Sequence, residues 1–433
     1  MAAEVKVGLM GLGTVGSGVV RLIEENGRDL YNQTGSKISI AKILVQDLDK
    51  ERSLTVQKGL LTDQAEDILD NKEIDIVVEV MGGIDPARTY IRQALLNGKH
   101  VVTANKDVMA LHGSELLLIA KEQECDLFYE ASVAGGIPIL RTLVDGFSSD
   151  RIGKIIGIVN GTTNYILTEM KQKGSAFADV LGQAQSLGYA EADPTSDVEG
   201  LDAARKMTIL GRLGFHMNLS LEDVKVKGIS DVTLEDVQFA GQMGYTLKLV
   251  GIAQLDGGKV EVSVQPVMLT DHHPLASVDG VYNAVYIYGD AVGETMFYGP
   301  GAGDLPTGTA VVSDLVTVVK SMRLGVNGKG AVAPYREKRL KSKREVFSKY
   351  FLRLRVRDEA GVLAQLTQLF AETAVSLERV LQLPCSEKGE AEIVLITHTA
   401  SQHQLDSVKG RVEAMDAVIH IQSHYRVEGG SAV

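Results

Sequence analysis

The run Val5-Lys6-Val7-Gly8-Leu9-Met10 leads straight into Gly11-Leu12-Gly13-Thr14-Val15-Gly16 and then into Ser17-Gly18-Val19-Val20-Arg21-Leu22-Ile23. The first stretch reads as a strand and the last as a helix, so a G-x-G-x-x-G turn sits between them. No other feature of the chain narrows the choice of fold as far. Gly11 allows the tight turn, Gly13 lets a pyrophosphate approach the backbone, and Gly16 lets the helix pack against the strand. The helix N-terminus then offers its partial positive charge to phosphates. The reading is a dinucleotide-binding turn in which Leu12, Gly13, Thr14, Val15 and Gly16 contact the ligand. The bland counterpart is a glycine-rich turn in some other α/β fold.

The next hundred residues fit the first reading. Short β-rich runs at 5–10, 38–45, 74–80, 100–103 and 126–130 alternate with amphipathic stretches. That rhythm indicates a parallel sheet with crossover helices, an α/β Rossmann-type domain. Ligands of open parallel sheets bind at the carboxyl ends of strands. Two loops lie at such ends: Met81-Gly82-Gly83, where Gly82 can lie along a cofactor, and Thr103-Ala104-Asn105-Lys106, where Lys106 is a functional residue or a surface lysine at a helix start. After the second strand, Asp47 favours a ribose hydroxyl and so NAD, whereas Lys50 and Arg52 suit a 2′-phosphate and so NADP. A solvated turn accounts for all three equally well.

A chain of 433 residues has room for two to four domains. Lys plus Arg is 44 against 56 Asp plus Glu, a net charge of −12, which argues against nucleic-acid binding by bulk electrostatics. Two cysteines, Cys125 and Cys385, support neither a disulfide framework nor a Cys-rich zinc site. The longest apolar runs fall well short of a membrane span. The N-terminus lacks the basic start and long apolar stretch of a signal peptide. A cytoplasmic protein is expected.

The segment Gly188-Tyr189-Ala190-Glu191-Ala192-Asp193-Pro194-Thr195-Ser196-Asp197 concentrates acids and hydroxyls. Ser196 with Glu199 reads as a capping box, so a helix is expected from about Asp197 onward. On a wheel of about 100° per residue, Asp202 and Lys206 project from the same face as Val198, Ile209 and Leu213. Charges on a packing face are costly unless paired or functional. Either they form a buried structural salt bridge, or Asp202, Lys206 and Glu191 line a cleft. A desolvated lysine can act as a general acid or base, and nearby carboxylates would push its pKa back up.

Absent chemistry is informative too. Cys125 is flanked by acids, which raise a thiol pKa and disfavour a thioester-forming nucleophile. No cluster has zinc-ligand spacing, and His272-His273-Pro274 reads as a turn. Hydride transfer assisted by lysine and carboxylates remains.

At this level of detail the chain resembles the homoserine dehydrogenase family, in its long form with a C-terminal ACT domain. The resemblance rests on Gly11 to Gly16, Thr103-Ala104-Asn105-Lys106, Glu130-Ala131-Ser132-Val133-Ala134-Gly135-Gly136-Ile137-Pro138, Val159-Asn160-Gly161-Thr162-Thr163-Asn164-Tyr165, Gly188 through Lys206, and Gly299-Pro300-Gly301-Ala302-Gly303. It implies NAD(P)-dependent interconversion of L-homoserine and L-aspartate 4-semialdehyde, in threonine, methionine and isoleucine biosynthesis. It implies Lys206 as the acid/base and Lys106 as a second lysine touching cofactor and reacting group. Glu191 and Asp202 become substrate ligands and Asp197 a supporting acid. Gly188 and Gly303 become backbone contacts to the cofactor. Glu130, Val133, Gly135 and Ile137 become a sodium site, largely of carbonyl oxygens. Gln46 stands where NADP-preferring relatives often carry a basic residue, so the cofactor reads as NAD(P), with NADP slightly favoured by Lys50 and Arg52.

The β-rich runs 224–229, 246–253, 259–268, 283–288 and 294–298 suggest a second, α+β domain, and the alternation across 262–267 predicts a sheet with one wetter face. In the family this sheet is a dimerisation surface. The 309–319 run looks like a helix returning to the nucleotide domain. Residues 334–349 crowd seven basic side chains and read as a solvated linker, or else as a clamp on cofactor phosphates or a partner subunit. The β-α-β-β-α-β order beyond it fits a ferredoxin-like domain. Asp358 and Gly361, in its first strand–helix turn, resemble the amino-acid-binding turn of ACT domains, with L-threonine as the natural effector.

The expected layout is thus 1–133 for NAD(P), completed by about 303–330; 134–302 for substrate and dimerisation; a 334–349 linker; and 350–433 for regulation. A homodimer or homotetramer is expected, with no nucleic-acid or membrane partner. The alternatives are a nonenzymatic sensor of NAD(P) and an amino acid, which would need neither lysine, and another small-substrate reductase, which has no reason to contain the 191–206 segment.

Overall fold

The computed structural model describes residues 3–52, 54, 56–329, 334–384 and 387–429. Cys385 lies outside them. The chain divides into two compact units. One comprises 1–161, 202–224 and 281–338; the other comprises 162–201, 225–280 and 339–433.

In the first unit, β1 (Ala3–Met10), β2 (Ser36–Leu44), β3 (Leu61–Thr62), β4 (Ile76–Glu79), β5 (His100–Thr103) and β6 (Leu127–Phe128) form a parallel sheet in the order β3-β2-β1-β4-β5-β6. This is the doubly wound order, with its switch point between β1 and β4. Val7, Leu9, Ile43, Ile76 and Val78 are fully buried in its core. Strands covered on both faces are apolar, which is why the central Ile76–Val78 and Val101–Val102 read as continuous runs. The two-residue β3 is too short to show a pattern. The expected strand at 126–130 shrinks to Leu127–Phe128. Glu130 instead opens a 3-10 turn, Glu130–Ser132, where its buried carboxylate accepts hydrogen bonds from the Leu140 and Arg141 amides at 2.7 and 2.8 Å.

Helix α1 (Thr14–Glu25) packs against the long Asp304–Leu324 helix so closely that a Cβ on Gly18 would lie 2.2 Å from the Asp304 carbonyl. Further along, β7 (Ile152–Ile158) pairs antiparallel with Tyr282–Gly289, which pairs with Gly293–Pro300. The expected helix from Asp197 is interrupted. A short turn of helix, Thr195–Val198, ends at Gly200, whose φ is +78°, and a new helix runs Leu201–Phe215. Ser196 lies inside that turn, whose N-cap is Pro194, so it does not stand at the expected helix start. Glu199 accepts a hydrogen bond from the Ser230 hydroxyl, at 2.5 Å.

The second unit holds a long hairpin, Tyr245–Asp256 with Lys259–Thr270, and a four-stranded antiparallel sheet in the order Val418–Glu428, Phe347–Arg357, Glu390–Thr397, Leu377–Pro384. With helices Val362–Glu372 and Gln402–Glu413, that sheet is the ferredoxin-like β-α-β-β-α-β fold. Its last strand also pairs in parallel with the hairpin, Val267 to Leu269 against Arg426 to Glu428. That junction corrects the expected wetter face of 262–267. Glu261 and Ser263 are buried, and Glu261 binds the buried Arg426 at 2.9 Å.

The 334–349 run is tied down along its length. Lys338 reaches Asp223 at 2.9 Å, Lys341 reaches Asp256 at 3.5 Å, and Lys343 reaches Asp406 at 2.7 Å. Its charges act as ion-pair stitches, where a freely solvated linker was expected. Among the described residues no helix is long and apolar enough to cross a membrane.

Candidate active site

The glycine turn has the steric properties its sequence implies. Gly11 sits at φ +103°, and a Cβ there would lie 2.9 Å from the Val80 carbonyl. A Cβ on Gly16 would lie 2.2 Å from the Gly11 carbonyl, whereas one on Gly13, the N-cap of α1, would meet nothing within 4 Å. Only Gly13 therefore borders open space, on the side from which a pyrophosphate would approach a helix N-terminus. Gly82, at φ +76°, also faces open space after β4.

The loop after β4 is braced by Glu79, a fully buried carboxylate at the end of β4. It accepts hydrogen bonds from the Thr103 hydroxyl at 2.6 Å and from the Met81 amide at 2.8 Å. Burial raises its pKa despite those donors. Asn105 caps the Lys106–Glu122 helix through the Val108 amide at 3.0 Å and donates to the Gly83 carbonyl at 2.7 Å. The carboxyl ends of β4 and β5 thus hold one another, and Lys106 leaves them as the first residue of its helix.

Lys106 and Lys206 converge on one carboxylate. Asp202, at 5% exposure, takes Lys206 Nζ on Oδ2 at 2.7 Å and Lys106 Nζ near Oδ1 at 3.1 Å. Asn160 Nδ2 adds a donor to Oδ2 at 2.9 Å, and Lys206 also donates to the Val159 carbonyl at 2.7 Å. Burial alone would raise the Asp202 pKa, but the two lysines and Asn160 override it and hold the group well below the usual carboxylate range. Burial alone would lower Lys106, and the charge of Asp202 reverses that, so its pKa is raised. The side chain of Lys206 is 12% exposed and that of Lys106 35%. The i,i+4 charges inferred on an apolar face are therefore a nearly buried acid and amine, joined by Lys106 from a second helix.

The other expected site residues fall in several places. Glu191 lies in an exposed turn and Asp197 in the Thr195–Val198 helix; both belong to the second unit. Gly188 also lies there, at φ +75°. Gly303, at φ +131°, is the N-cap of the Asp304–Leu324 helix in the first unit. Asp47 accepts the Asp49 and Lys50 amides at 2.9 and 3.1 Å, and Arg52 folds back onto the Lys50 and Asp47 carbonyls, so this stretch is a self-bonded turn. In the 130–137 turn, Ala134 and Gly135 have φ +55° and +53°. Among the described residues, the carbonyls of Val133 and Gly135 accept no backbone hydrogen bond, while that of Ile137 accepts the Ile139 amide at 2.8 Å. Two open carbonyls in a buried turn suit a hard cation, and the Glu130 carboxylate oxygens are already engaged. Gly361, at φ +97°, caps the Val362–Glu372 helix, and the Asp358 amide bonds the Gly389 carbonyl.

Cys125 is buried, and its thiol is pushed up to about 11 by burial and by Asp126, which removes it as a nucleophile. His273 caps the Leu275 amide at 3.1 Å, consistent with a turn. Among the described residues no group of three or more His, Cys, Asp or Glu could hold a metal ion. Glu79, Asn160 and the Asp107–Arg205 pair escaped the sequence reading. A buried acid ending an otherwise apolar strand was the available signal for Glu79; Asn160 gave none.

A doubly wound sheet with two lysines on one buried carboxylate matches known proteins along nearly its whole length. Residues 11–130 match the NAD-binding domain model of homoserine dehydrogenase, 138–316 the homoserine dehydrogenase model, and 350–417 the ACT domain model. The homoserine dehydrogenase of Bacillus subtilis is 56% identical over 426 residues, 98% of each chain. A crystal structure of a homoserine dehydrogenase from Thiobacillus denitrificans superposes with a TM-score of 0.93 at 40% identity, covering 99% of both chains. A hyperthermophilic archaeal homoserine dehydrogenase solved in complex with NADPH has a TM-score of 0.62 at 27% identity, over 73% of this chain and 97% of its own. The chain therefore belongs to the homoserine dehydrogenase family of NAD(P)-dependent oxidoreductases.

Proposed function

We propose that Lys206 is the proton-transfer residue of this enzyme, exchanging a proton with the oxygen that is a hydroxyl in L-homoserine and a carbonyl in L-aspartate 4-semialdehyde. The supporting observation is that Lys206 and Lys106 share the buried Asp202. The bound nicotinamide supplies or accepts the hydride. In the reducing direction Lys206 gives a proton to the carbonyl oxygen, and the Val159 carbonyl and Asp202 keep its amine aimed. Lys106 holds the other oxygen of Asp202, at 3.1 Å. Three donors occupy Asp202, and a carboxylate has about four acceptor positions, so one remains for a substrate donor.

Glu191 is read with Asp202 as a substrate ligand and Asp197 as a supporting acid, and Gly188 and Gly303 as backbone contacts to the cofactor beside Leu12 to Gly16, Gly82 and Lys106. NADP is favoured by Lys50 and Arg52, by their charge, and by the NADPH-bound relative. A sodium ion is read into the 130–137 turn, held by Val133 and Gly135 carbonyls with Glu130 and Ile137 beside them. L-threonine is read as an effector at the Asp358–Gly361 turn. The division into 1–133, 134–302, 334–349 and 350–433, a homodimer or homotetramer, and a cytoplasmic role in threonine, methionine and isoleucine biosynthesis belong to the same reading.

The test is a cofactor-absorbance assay with aspartate semialdehyde, NADH and NADPH in parallel, with and without L-threonine. Lys206→Ala is expected to lose on the order of 10²- to 10⁴-fold in kcat with cofactor affinity unchanged. Normal turnover in that variant would refute the assignment.

A further inference from the structure

A second group of lysines gathers within the second unit. In the second unit a cleft of about 370 Å³ opens between the 227–231 segment, the Gln402–Glu413 helix and the Val418–Glu428 strand. Two amines meet there on one residue. Lys409 Nζ lies 3.0 Å from His424 Nε2, and Lys227 Nζ donates to the His424 carbonyl at 3.4 Å. Lys227 also stands 5.3 Å over the Tyr425 ring.

Among the described residues no carboxylate stands within ion-pair distance of either amine. Asp231 and Glu413 line the cleft from exposed positions on its rim. The other acids that act on the cluster are engaged elsewhere: Asp406 binds Lys343 and Gln402, and Asp236 binds Ser423, Tyr425 and Arg353. Burial and the charge of Lys409 hold Lys227 below the ordinary lysine range. Burial and both lysines push the His424 ring down to about 3, so it stays neutral and accepts from Lys409. Two partly desolvated cations without a close counter-charge are costly, and an entering anion relieves that cost through charge-assisted hydrogen bonds.

We propose that this cleft binds the oxyanion group of a small molecule, a carboxylate or a phosphoryl group, between Lys227 and Lys409. The acidic rim favours a carboxylate that travels with an ammonium group, since Asp231 and Glu413 repel a bare dianion. The site joins the 227–231 segment to the last helix and strand of the ferredoxin-like domain, so its occupancy ties those elements together.

Isothermal titration of the full-length protein with glycine, acetate and inorganic phosphate reads this directly. Saturable binding of glycine is expected, weakened about tenfold or more in both Lys409→Met and Lys227→Met. Homoserine oxidation is expected to stay at wild-type values in both variants, because neither lysine belongs to the Asp202 cluster, and the melting temperature is expected not to fall, because each change removes one of two mutually repelling charges. Saturable binding of phosphate alone, lost in the same variants, would support the site and assign it a phosphoryl group. No saturable binding of any of these probes, or undiminished binding in both variants, overturns the proposal.

Discussion

Asp107 and Arg205 form an ion pair, Nε to Oδ1 at 2.6 Å, and each is the chain neighbour of one of the two lysines that share Asp202. Seven residues beyond Arg205, two turns along the same face, the buried Arg212 donates to the Met109 and Ala110 carbonyls at 2.9 and 3.0 Å. Two arginines thus fasten the Leu201–Phe215 helix to the start of the Lys106–Glu122 helix. The two side chains are 23% and 26% exposed, and the pair's use is geometric.

Asp107→Asn is therefore expected to lower kcat roughly 10- to 100-fold through misplacement of Lys106, with a melting temperature close to wild type. The double reversal Asp107→Arg with Arg205→Asp is expected to recover part of the loss. Steady-state kinetics check this, and unchanged kcat in Asp107→Asn would show that Arg212 alone sets the spacing.

Gly13 and Gly16 are expected to fail in different ways. Alanine at 16 drives a Cβ to 2.2 Å from the Gly11 backbone oxygen, so the turn itself must shift, and Gly16→Ala is expected to melt at lower temperature. Alanine at 13 meets nothing within 4 Å. Gly13→Ala is expected to keep its melting temperature and weaken cofactor binding about tenfold or more, by filling the space a pyrophosphate needs. Thermal melts alongside cofactor titration separate the two; a Gly13→Ala variant that binds cofactor normally would place the pyrophosphate elsewhere.

What could be read from the sequence follows from which residues carry a periodic or local signal. The parallel sheet was legible because strands buried on both faces, such as Ile76–Glu79, are apolar runs between helical ones. Asp202 and Lys206 were legible because an i,i+4 ion pair on an apolar face violates amphipathicity. Asn160 was not, since its amide reaches Asp202 from 42 residues away and no local pattern marks that. The helix start near Asp197 misled because Ser196 and Glu199 have capping-box spacing, while Gly200 at φ +78° breaks the helix just beyond. The wetter face of 262–267 misled because Ser263 is buried, with Gln265 donating to its hydroxyl at 3.2 Å, and the neighbouring Glu261 is buried against Arg426 from a distant strand.

Asp236 illustrates the same non-local logic in the second unit. It is fully buried and accepts from the Ser423 and Tyr425 hydroxyls at 2.5 and 2.7 Å, with Arg353 Nε at 3.1 Å. These partners belong to the ferredoxin-like strands, and Asp236 to the Leu234–Gln242 helix. Removing one partner from a buried charge cluster costs about 3–5 kcal/mol, so Asp236→Ala is expected to lower the urea midpoint sharply. Arg353→Met added to it is expected to cost less than the sum of the two single changes, because the stranded guanidinium is removed. Additive losses would mean that the two side chains act independently.

His424 makes stability depend on pH. Its ring is neutral in the fold down to about 3, with burial, Lys227 and Lys409 opposing protonation and Asp406 weakly favouring it. In the unfolded chain a histidine protonates near its ordinary value, about 6.5. Between those values the unfolded state binds the extra proton, so stability rises with pH across the window. The contribution is complete above about pH 6.5 and is lost as pH falls toward 3. Melting temperature is therefore expected to decline on acidification below pH 6.5, and His424→Gln, which keeps an acceptor for Lys409, is expected to decline less steeply. Parallel slopes for the two proteins would mean that other groups carry the acid sensitivity. Anion binding at Lys227 and Lys409 is expected to flatten the wild-type slope as well, because a bound oxyanion offsets the two charges that keep the ring from accepting a proton.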